Sequence, residues 1–514
     1  MTNTQRVIFN TAALYVRSAV TTVLALFASR FVLAALGVVD YGLYSVIAGI
    51  MGFMGFLNGA MATSSQRHLT YELGRGDLAQ VNRVFNTCFF LHASLAVLLV
   101  ILGETVGLWF LNHVLNIPDA RREAAFMVYQ FTILSATSWV IVVPYQALMT
   151  AHEALALTSL VGIIQSVLSF LLALFIGHAS GDRLILYMGV SCAIVVLITA
   201  AQAVLCRALF SESRLNKNGI DRRLVPEILS ISGWSLFGAF SAVGRFQGIA
   251  FVLNVFFGPA VNAAYGIANQ VNGAVSNFSQ TMMGAVTPRL MKHEGAGNRE
   301  RMLELSLLSC KYVFFLASLA IVPLFAELPM VLTLWLKHPP EHALWFCRIA
   351  LLIFLVDQLS LGLGSAVLAA GRMAYYQTII SMIHIATLPL AYLLLKLGLP
   401  AETALLCSLF TMLVAVFSRC LVVQKIVQLP YRRWLQVVVI RGAAAILPAV
   451  AVACGVLLFI PPSLVRFLVL TPLLGVAALA GIYFIGMTRE EQRFMREQFF
   501  SIISKIRFAS SPIR

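Results

Sequence analysis

Charge is scarce in this chain. Asp, Glu, Lys and Arg make up only 11% of its 514 residues, where a soluble protein carries about 25%. A water-soluble protein of this length could not cover its surface with so few ionised groups, so soluble domains are excluded as the unit of description. Cysteine is also sparse. The eight present stand alone, with no Cys-x-x-Cys pair, and most lie inside apolar runs. They read as small packing residues, not as disulfides or metal ligands. No glycine-rich phosphate loop of the nucleotide-binding type is found, which argues against an ATP-driven machine and leaves no cofactor to expect. A cleavable leader is not evident either. Residues 1–8 are polar with a single Arg and run straight into a long apolar stretch lacking a small-residue cleavage site, so that stretch is expected to stay as the first span.

Apolar residues dominate instead, at 60% of the chain, with a mean hydropathy of +0.89. Runs of about 20 such residues recur from end to end, each long enough to cross a bilayer as a helix. Fourteen spans are expected, at roughly 8–36, 43–66, 83–103, 124–149, 155–176, 184–206, 228–257, 262–287, 305–325, 343–370, 375–396, 402–424, 436–460 and 465–487. The fold class is therefore an all-α polytopic membrane protein with about 14 transmembrane helices, expected as a monomer. An even count puts both termini on one side. With that side cytoplasmic, 25 of the 36 Lys and Arg residues fall in cytoplasmic segments and six in outer ones, the rest lying within spans. The alternation obeys the positive-inside rule loop by loop. It also accounts for the net charge of +15 without a nucleic-acid partner.

Two halves of the chain echo each other at an offset near 220. Gly37-Val-Val-Asp-Tyr41-Gly42 recurs as Gly258-Pro-Ala-Val-Asn-Ala-Ala-Tyr265-Gly266. Arg67, Glu72 and Cys88 recur as Arg289, Glu294 and Cys310, and Pro118-Asp119 as Pro340-Glu341, all at 222. Ala147-Leu-Met-Thr-Ala151 recurs as Ala366-Val-Leu-Ala-Ala370. A repeat of six spans keeps its second copy in the same orientation, and parallel lobes with a site between them belong to secondary transporters. The expected organisation is an N-lobe at 1–206, a basic cytoplasmic linker at 207–227, a C-lobe at 228–424, two unpartnered spans within 425–487, and a tail at 488–514. Met495, Phe499, Ile502 and Ile506 fall at helical spacing in that tail, among basic residues, as in an amphipathic helix lying on the inner leaflet.

Two six-helix lobes plus two helices is the plan of the multidrug/oligosaccharidyl-lipid/polysaccharide (MOP) exporter superfamily. Leu36-Gly37 followed by Tyr41-Gly42-Leu43-Tyr44 resembles its polysaccharide transporter branch, which includes the O-antigen flippases. Leu334-Trp335-Leu336 with Pro340 resembles it too. The resemblance covers about residues 5–430. It implies a flippase, not an enzyme, in the bacterial inner membrane. Its substrate would be undecaprenyl-diphosphate-linked oligosaccharide, moved from the cytoplasmic to the periplasmic leaflet by alternating access for O-antigen or exopolysaccharide synthesis. A polysaccharide polymerase and glycosyltransferases would be the natural partners.

Charges within spans are costly, about 2.5–3.5 kcal/mol or more each at the centre. Arg245, about 17 residues into span seven, is beyond easy snorkelling. It reads as a cavity cation for a diphosphate or acidic sugar, with a structural salt bridge as the plainer alternative. Arg17, roughly 14 Å along the first helix, is a second candidate cation or a snorkelling one. Asp357, mid-span, reads as an ion-coupling residue or as the counter-ion of Arg245 or another arginine. Asn269, Asn272, Asn277 and Gln280 on span eight offer amide donors and acceptors for sugar hydroxyls, or for neighbouring helices. His92 and His384 read as packing residues more readily than as functional ones. Pro144, Gly362 and Gly364 are candidate bends.

Three rivals stand beside this reading. A drug exporter of the same superfamily would want acidic groups in its cavity. A lipid-linked peptidoglycan-precursor flippase would want the same cations as an oligosaccharide flippase. A membrane polymerase or ligase would need a large outer loop or a carboxylate cluster, and the longest outer segment, about 104–123, has neither.

Overall fold

The computed structural model describes residues 3–113, 117–216, 219–336, 339–461, 463–493 and 495–497. Among them regular structure is helical throughout, with no strand. The helices are α1 (Asn3–Arg75), α2 (Leu78–Leu102), α3 (Leu108–His113), α4 (Arg122–Ala151), α5 (Leu155–Phe175), α6 (Arg183–Leu209), α7 (Leu224–Phe257), α8 (Pro259–Gly295), α9 (Arg299–Leu336), α10 (Ala343–Gln358), α11 (Leu361–Ala370), α12 (Met373–Lys396), α13 (Glu402–Val427), α14 (Tyr431–Trp434), α15 (Arg441–Phe459) and α16 (Leu464–Gly481). In lipid a backbone has no water to satisfy it, so each span closes its own hydrogen bonds as a helix. Side chains supply caps at several starts. Asp77 accepts from Gln80 N at 2.9 Å, and Asp182 accepts from Leu184 N at 3.0 Å. Many large apolar side chains face outward, Phe459 at 85% exposure among them, as a lipid-facing surface requires.

Among the described residues eleven helices are long and apolar enough to cross a membrane, or twelve with the bent pair α10–α11 taken as one span. The expected count of fourteen is not met by that test. The two expected spans that fall short, 43–66 and 262–287, do lie in helices, α1 after its kink and α8. In 262–287 a run of Asn, Gln, Ser and Gly lowers the hydropathy. The chain is a multi-pass membrane protein nonetheless. α1 bends at Gly37, whose φ of 78° is a left-handed conformation that suits a residue without Cβ. This is the loop expected between the first two spans, reduced to a kink. α4 runs unbroken through Pro144.

The chain forms two compact units. Unit 1 comprises residues 1–243, 280–305 and 365–382; unit 2 comprises 244–279, 306–364 and 383–514. Unit 1 joins the whole first repeat with the start of α7, the end of α8, the start of α9, the end of α11 and the start of α12.

Within unit 1 those ends are clasped. Arg67, 6% exposed, donates to the Ala369 carbonyl at 3.4 Å and to Glu227 at 3.2 Å. Arg289 donates to Glu153 at 2.7 Å. Arg67 and Arg289 are repeat equivalents, and each reaches toward the end of the other copy's Ala-rich helix: Ala369, within 366–370, for Arg67, and Glu153, two residues past 147–151, for Arg289. The clasp is therefore reciprocal. α1 and α8 meet through glycine. A Cβ on Gly74 would collide with the Lys292 carbonyl, and one on Gly295 with the Tyr71 carbonyl. The basic segment after α6 is seated on α2, where Asn82 donates to the carbonyls of Glu212 at 2.7 Å and Arg214 at 2.9 Å.

The repeat also shows at the opposite helix ends, once inside each unit. In unit 1 Arg121 bridges Asp40 and Asp182, and its hydrogen bonds hold the Asp182 carboxyl below its ordinary range. In unit 2 His342 pairs with Glu402 at 2.6 Å. These residues correspond at offsets of 221 and 220.

Candidate functional site

The candidate site lies in unit 2, where α7, α8, α10 and α13 enclose a small cavity. Arg245 of α7 lines it with Asn269 and Asn272 of α8, Ile353 of α10 and Ser408 of α13. The cavity volume is about 30 Å³, which is room for one or two waters. Arg245 is 6% exposed. Its guanidinium lies 5.0 Å from the Phe246 ring centre. Its Nε and Nη1 are buried without a hydrogen-bond partner, as is the Asn272 Oδ1. Buried donors without partners are expensive, and a charged one most of all. The neighbouring Tyr265 spends its hydroxyl on the Phe246 carbonyl at 3.2 Å. Two guanidinium donors and an amide acceptor of residues lining the cavity are therefore unspent.

Asp357 does not pair with Arg245. Its carboxylate takes a hydrogen bond and ion pair from Arg419 Nη1, which also donates to Ser360 Oγ at 3.0 Å. Local geometry explains this. α10 ends at Gln358 and the chain bends by 42° into α11, so Asp357 sits at a helix C-terminus, where a negative charge is disfavoured. Arg419 compensates it. The bend is built in by Trp434, 0% exposed, whose indole N–H donates to the freed Leu359 carbonyl at 2.9 Å. Gly362 follows at once, and a Cβ there would come within 2.5 Å of the Ser306 carbonyl oxygen. His384 is buried at 6% exposure and lies within electrostatic reach of Arg245, Arg419 and Asp357. The cluster thus holds two permanent cations and one carboxylate.

The structure brings together Arg245, Asn269 and Asn272 of the expected cavity residues. Asn277 and Gln280 are exposed and do not line this cavity. Arg17 belongs to unit 1. Its guanidinium rests on Gly162 of α5, where a Cβ would lie 2.5 Å from Arg17 Nε. Arg419 and His384 were not among the expected site residues. Both sit on apolar helices, and the signal for Arg419 was present: it is the sole charge between Glu402 and Lys425.

Neither a protein-family model nor a curated protein sequence matches this chain. Solved structures do. A multidrug resistance MATE family transporter of the MOP superfamily in an outward-facing conformation has a TM-score of 0.71 and 14% identity, over 82% of this chain and 95% of that one. A MATE structure in the bent conformation has a TM-score of 0.72 and 14% identity, over 83% and 95%. A MOP superfamily transporter from Pyrococcus furiosus, described as having a binding pocket of reverse polarity that suggests a different function, has a TM-score of 0.69 and 14% identity, over 82% and 95%. At such identity the likeness establishes the fold, and the fold of this chain is that of the MATE transporters of the MOP superfamily.

Proposed function

We propose that this protein is a flippase for a lipid-linked oligosaccharide, carrying an undecaprenyl-diphosphate-type anion from the cytoplasmic to the periplasmic leaflet by alternating access. The observation that carries this reading is Arg245, a buried guanidinium with two unspent donors beside Asn269 and Asn272. A planar cationic fork suits a phosphate oxygen, and amides suit sugar hydroxyls. Sequence resemblance to the polysaccharide transporter branch supports the same substrate class. At about 30 Å³ the cavity is closed to such a group, so binding requires the second conformation of an alternating-access cycle. Asp357 then serves as the counter-ion of Arg419, which leaves the charge of Arg245 for the ligand.

A drug exporter is the second reading, and the fold likeness to MATE transporters favours it. Cationic drugs call for a free carboxylate, however, and the Asp357 carboxylate here is held by Arg419. The reverse-polarity pocket described for the Pyrococcus furiosus protein is a precedent for a different cargo on this fold.

The test is a clean deletion in a strain without a second flippase. Lipid-linked oligosaccharide should accumulate on the cytoplasmic leaflet. Arg245→Gln should fail to restore flipping while inserting normally, and Arg245→Lys should restore part of it. Normal surface polysaccharide in the deletion strain would refute the proposal.

A further inference from the structure

A second cavity in unit 2, of about 460 Å³, lies far from mid-span. The elements that wall it are Ala326 and Pro329 of α9, Arg348 near the start of α10, the end of α15 and the start of α16, with Pro461 in the turn between the last two. The end of α15, the start of α16 and the turn between them place it toward a membrane boundary. Trp335 and Trp345, both exposed, mark that boundary, as tryptophan does where hydrocarbon meets headgroups.

Two arginines line this cavity, and their bonding differs. Arg466, 6% exposed, is spent. It donates to Glu327 at 2.9 and 3.2 Å and to the Ile460 carbonyl at 2.6 Å. Arg348 forms no ion pair among the described residues, and its Nε is buried without a hydrogen-bond partner. Two rings hold it in place, Phe325 at 5.5 Å and Trp345 at 5.3 Å from the guanidinium carbon. Beside it runs an apolar wall of Leu457, Leu458 and Phe459, the last two 78% and 85% exposed.

An unpaired cation at headgroup level above an exposed apolar wall matches one kind of molecule: an amphiphile with an anionic phosphate head and acyl chains. We infer that this cavity binds a bilayer phospholipid of net negative charge, its phosphate on Arg348 and its chains along Leu458 and Phe459. Charge complementarity selects an anionic over a zwitterionic lipid, because Arg466 is already neutralised and Arg348 is the cation left over. The inference concerns a lipid of the membrane, not the transported cargo, so it stands or falls apart from the proposed function.

The experiment uses the full-length protein in detergent and native mass spectrometry with three probes: dioctanoyl-phosphatidylglycerol, dioctanoyl-phosphatidylcholine and inorganic phosphate. The wild type should retain phosphatidylglycerol over phosphatidylcholine and should ignore phosphate. Arg348→Gln should weaken phosphatidylglycerol roughly tenfold, the loss expected of one charge-assisted hydrogen bond, and leave phosphatidylcholine unchanged. Arg348→Lys should keep the preference in part, which separates lost charge from lost packing. An unaltered preference in Arg348→Gln, with an unchanged gel-filtration profile, overturns the site. Equal retention of inorganic phosphate overturns the lipid as its source. Should Arg348→Gln fail to fold, Leu458→Ser must weaken phosphatidylglycerol and phosphatidylcholine alike, and an unchanged affinity for both overturns the apolar half of the site.

Discussion

Arg245 and Arg419 are both buried arginines of unit 2, and their neighbours give them opposite roles. Arg419 has its carboxylate and its serine, whereas Arg245 has no ion pair among the described residues and keeps two orphaned donors beside a small void. Removing one member of a buried pair leaves the other uncompensated, at a cost of about 3–5 kcal/mol. Asp357→Asn and Arg419→Gln should therefore each lower the melting temperature of the purified protein. The double variant should recover most of the loss, since the two residues interact directly. Arg245→Gln combined with Asp357→Asn should recover nothing. Recovery in that second pair and not the first would reverse the assignment of partners.

Among the elements, the clasp on the arginine-rich side is the feature with the strongest internal logic. The two helices that meet through Gly74 and Gly295 are repeat equivalents, and so are the arginines beside them. Backbone contact through glycine tolerates no added volume. Gly295→Val should spread this side, so that a cysteine placed at the buried Ser65 becomes reactive to a small maleimide at several times the wild-type rate. Arg67→Ala should act in the same direction more weakly, because Glu153 and Arg289 persist. An unchanged labelling rate in Gly295→Val would show that the contact is passive.

The element scale is also where the sequence was most and least legible. Apolar runs and loop charges located nearly every helix, because hydropathy is a property of each segment alone. The offset of 222 between Arg67 and Arg289 was visible as well, but what it meant was not. A repeat reveals equivalence, whereas reciprocity is a matter of which helix end each arginine reaches across space. The kink at Gly37 read as a loop because a glycine followed by Asp40 and Tyr41 carries no hint that helix resumes at once. Arg245 with Asn269 and Asn272 could be gathered into one site, since a charge and a run of amides are anomalous on apolar helices. The partner of Asp357 could not be chosen among arginines, because it depends on a bend between Gln358 and Leu361 and on which helix packs there.

At the scale of the whole molecule, orientation rests on the distribution of charge. The expected arrangement puts the segment after α6 in the cytoplasm and the turn before α4 outside. Both Arg214 and Asp119 are exposed, so both suit labelling. In intact cells a cysteine at Asp119 should react with an impermeant maleimide, and one at Arg214 should react only after permeabilisation. The opposite pattern would invert the topology. The tail expected at 488–514 lies largely outside the described residues, but its first turn is seen. Glu491 accepts from Lys311 at 2.7 Å, and Lys311 is 0% exposed.

That one bond gives the segment from Thr488 an unusual weight. A nonsense codon at Thr488 spares every residue of both cavities and each span expected here, yet it strips the only carboxylate that, among the described residues, pairs with the ammonium buried in α9. Such an allele should behave as a folding lesion, with the protein lost from the membrane fraction by immunoblot while its transcript persists. Its natural suppressor would arise nearly 180 codons upstream, as Lys311→Met, which fills the same space without the charge. Recovery of protein in the double mutant would tie the two ends of that distance to a single electrostatic debt.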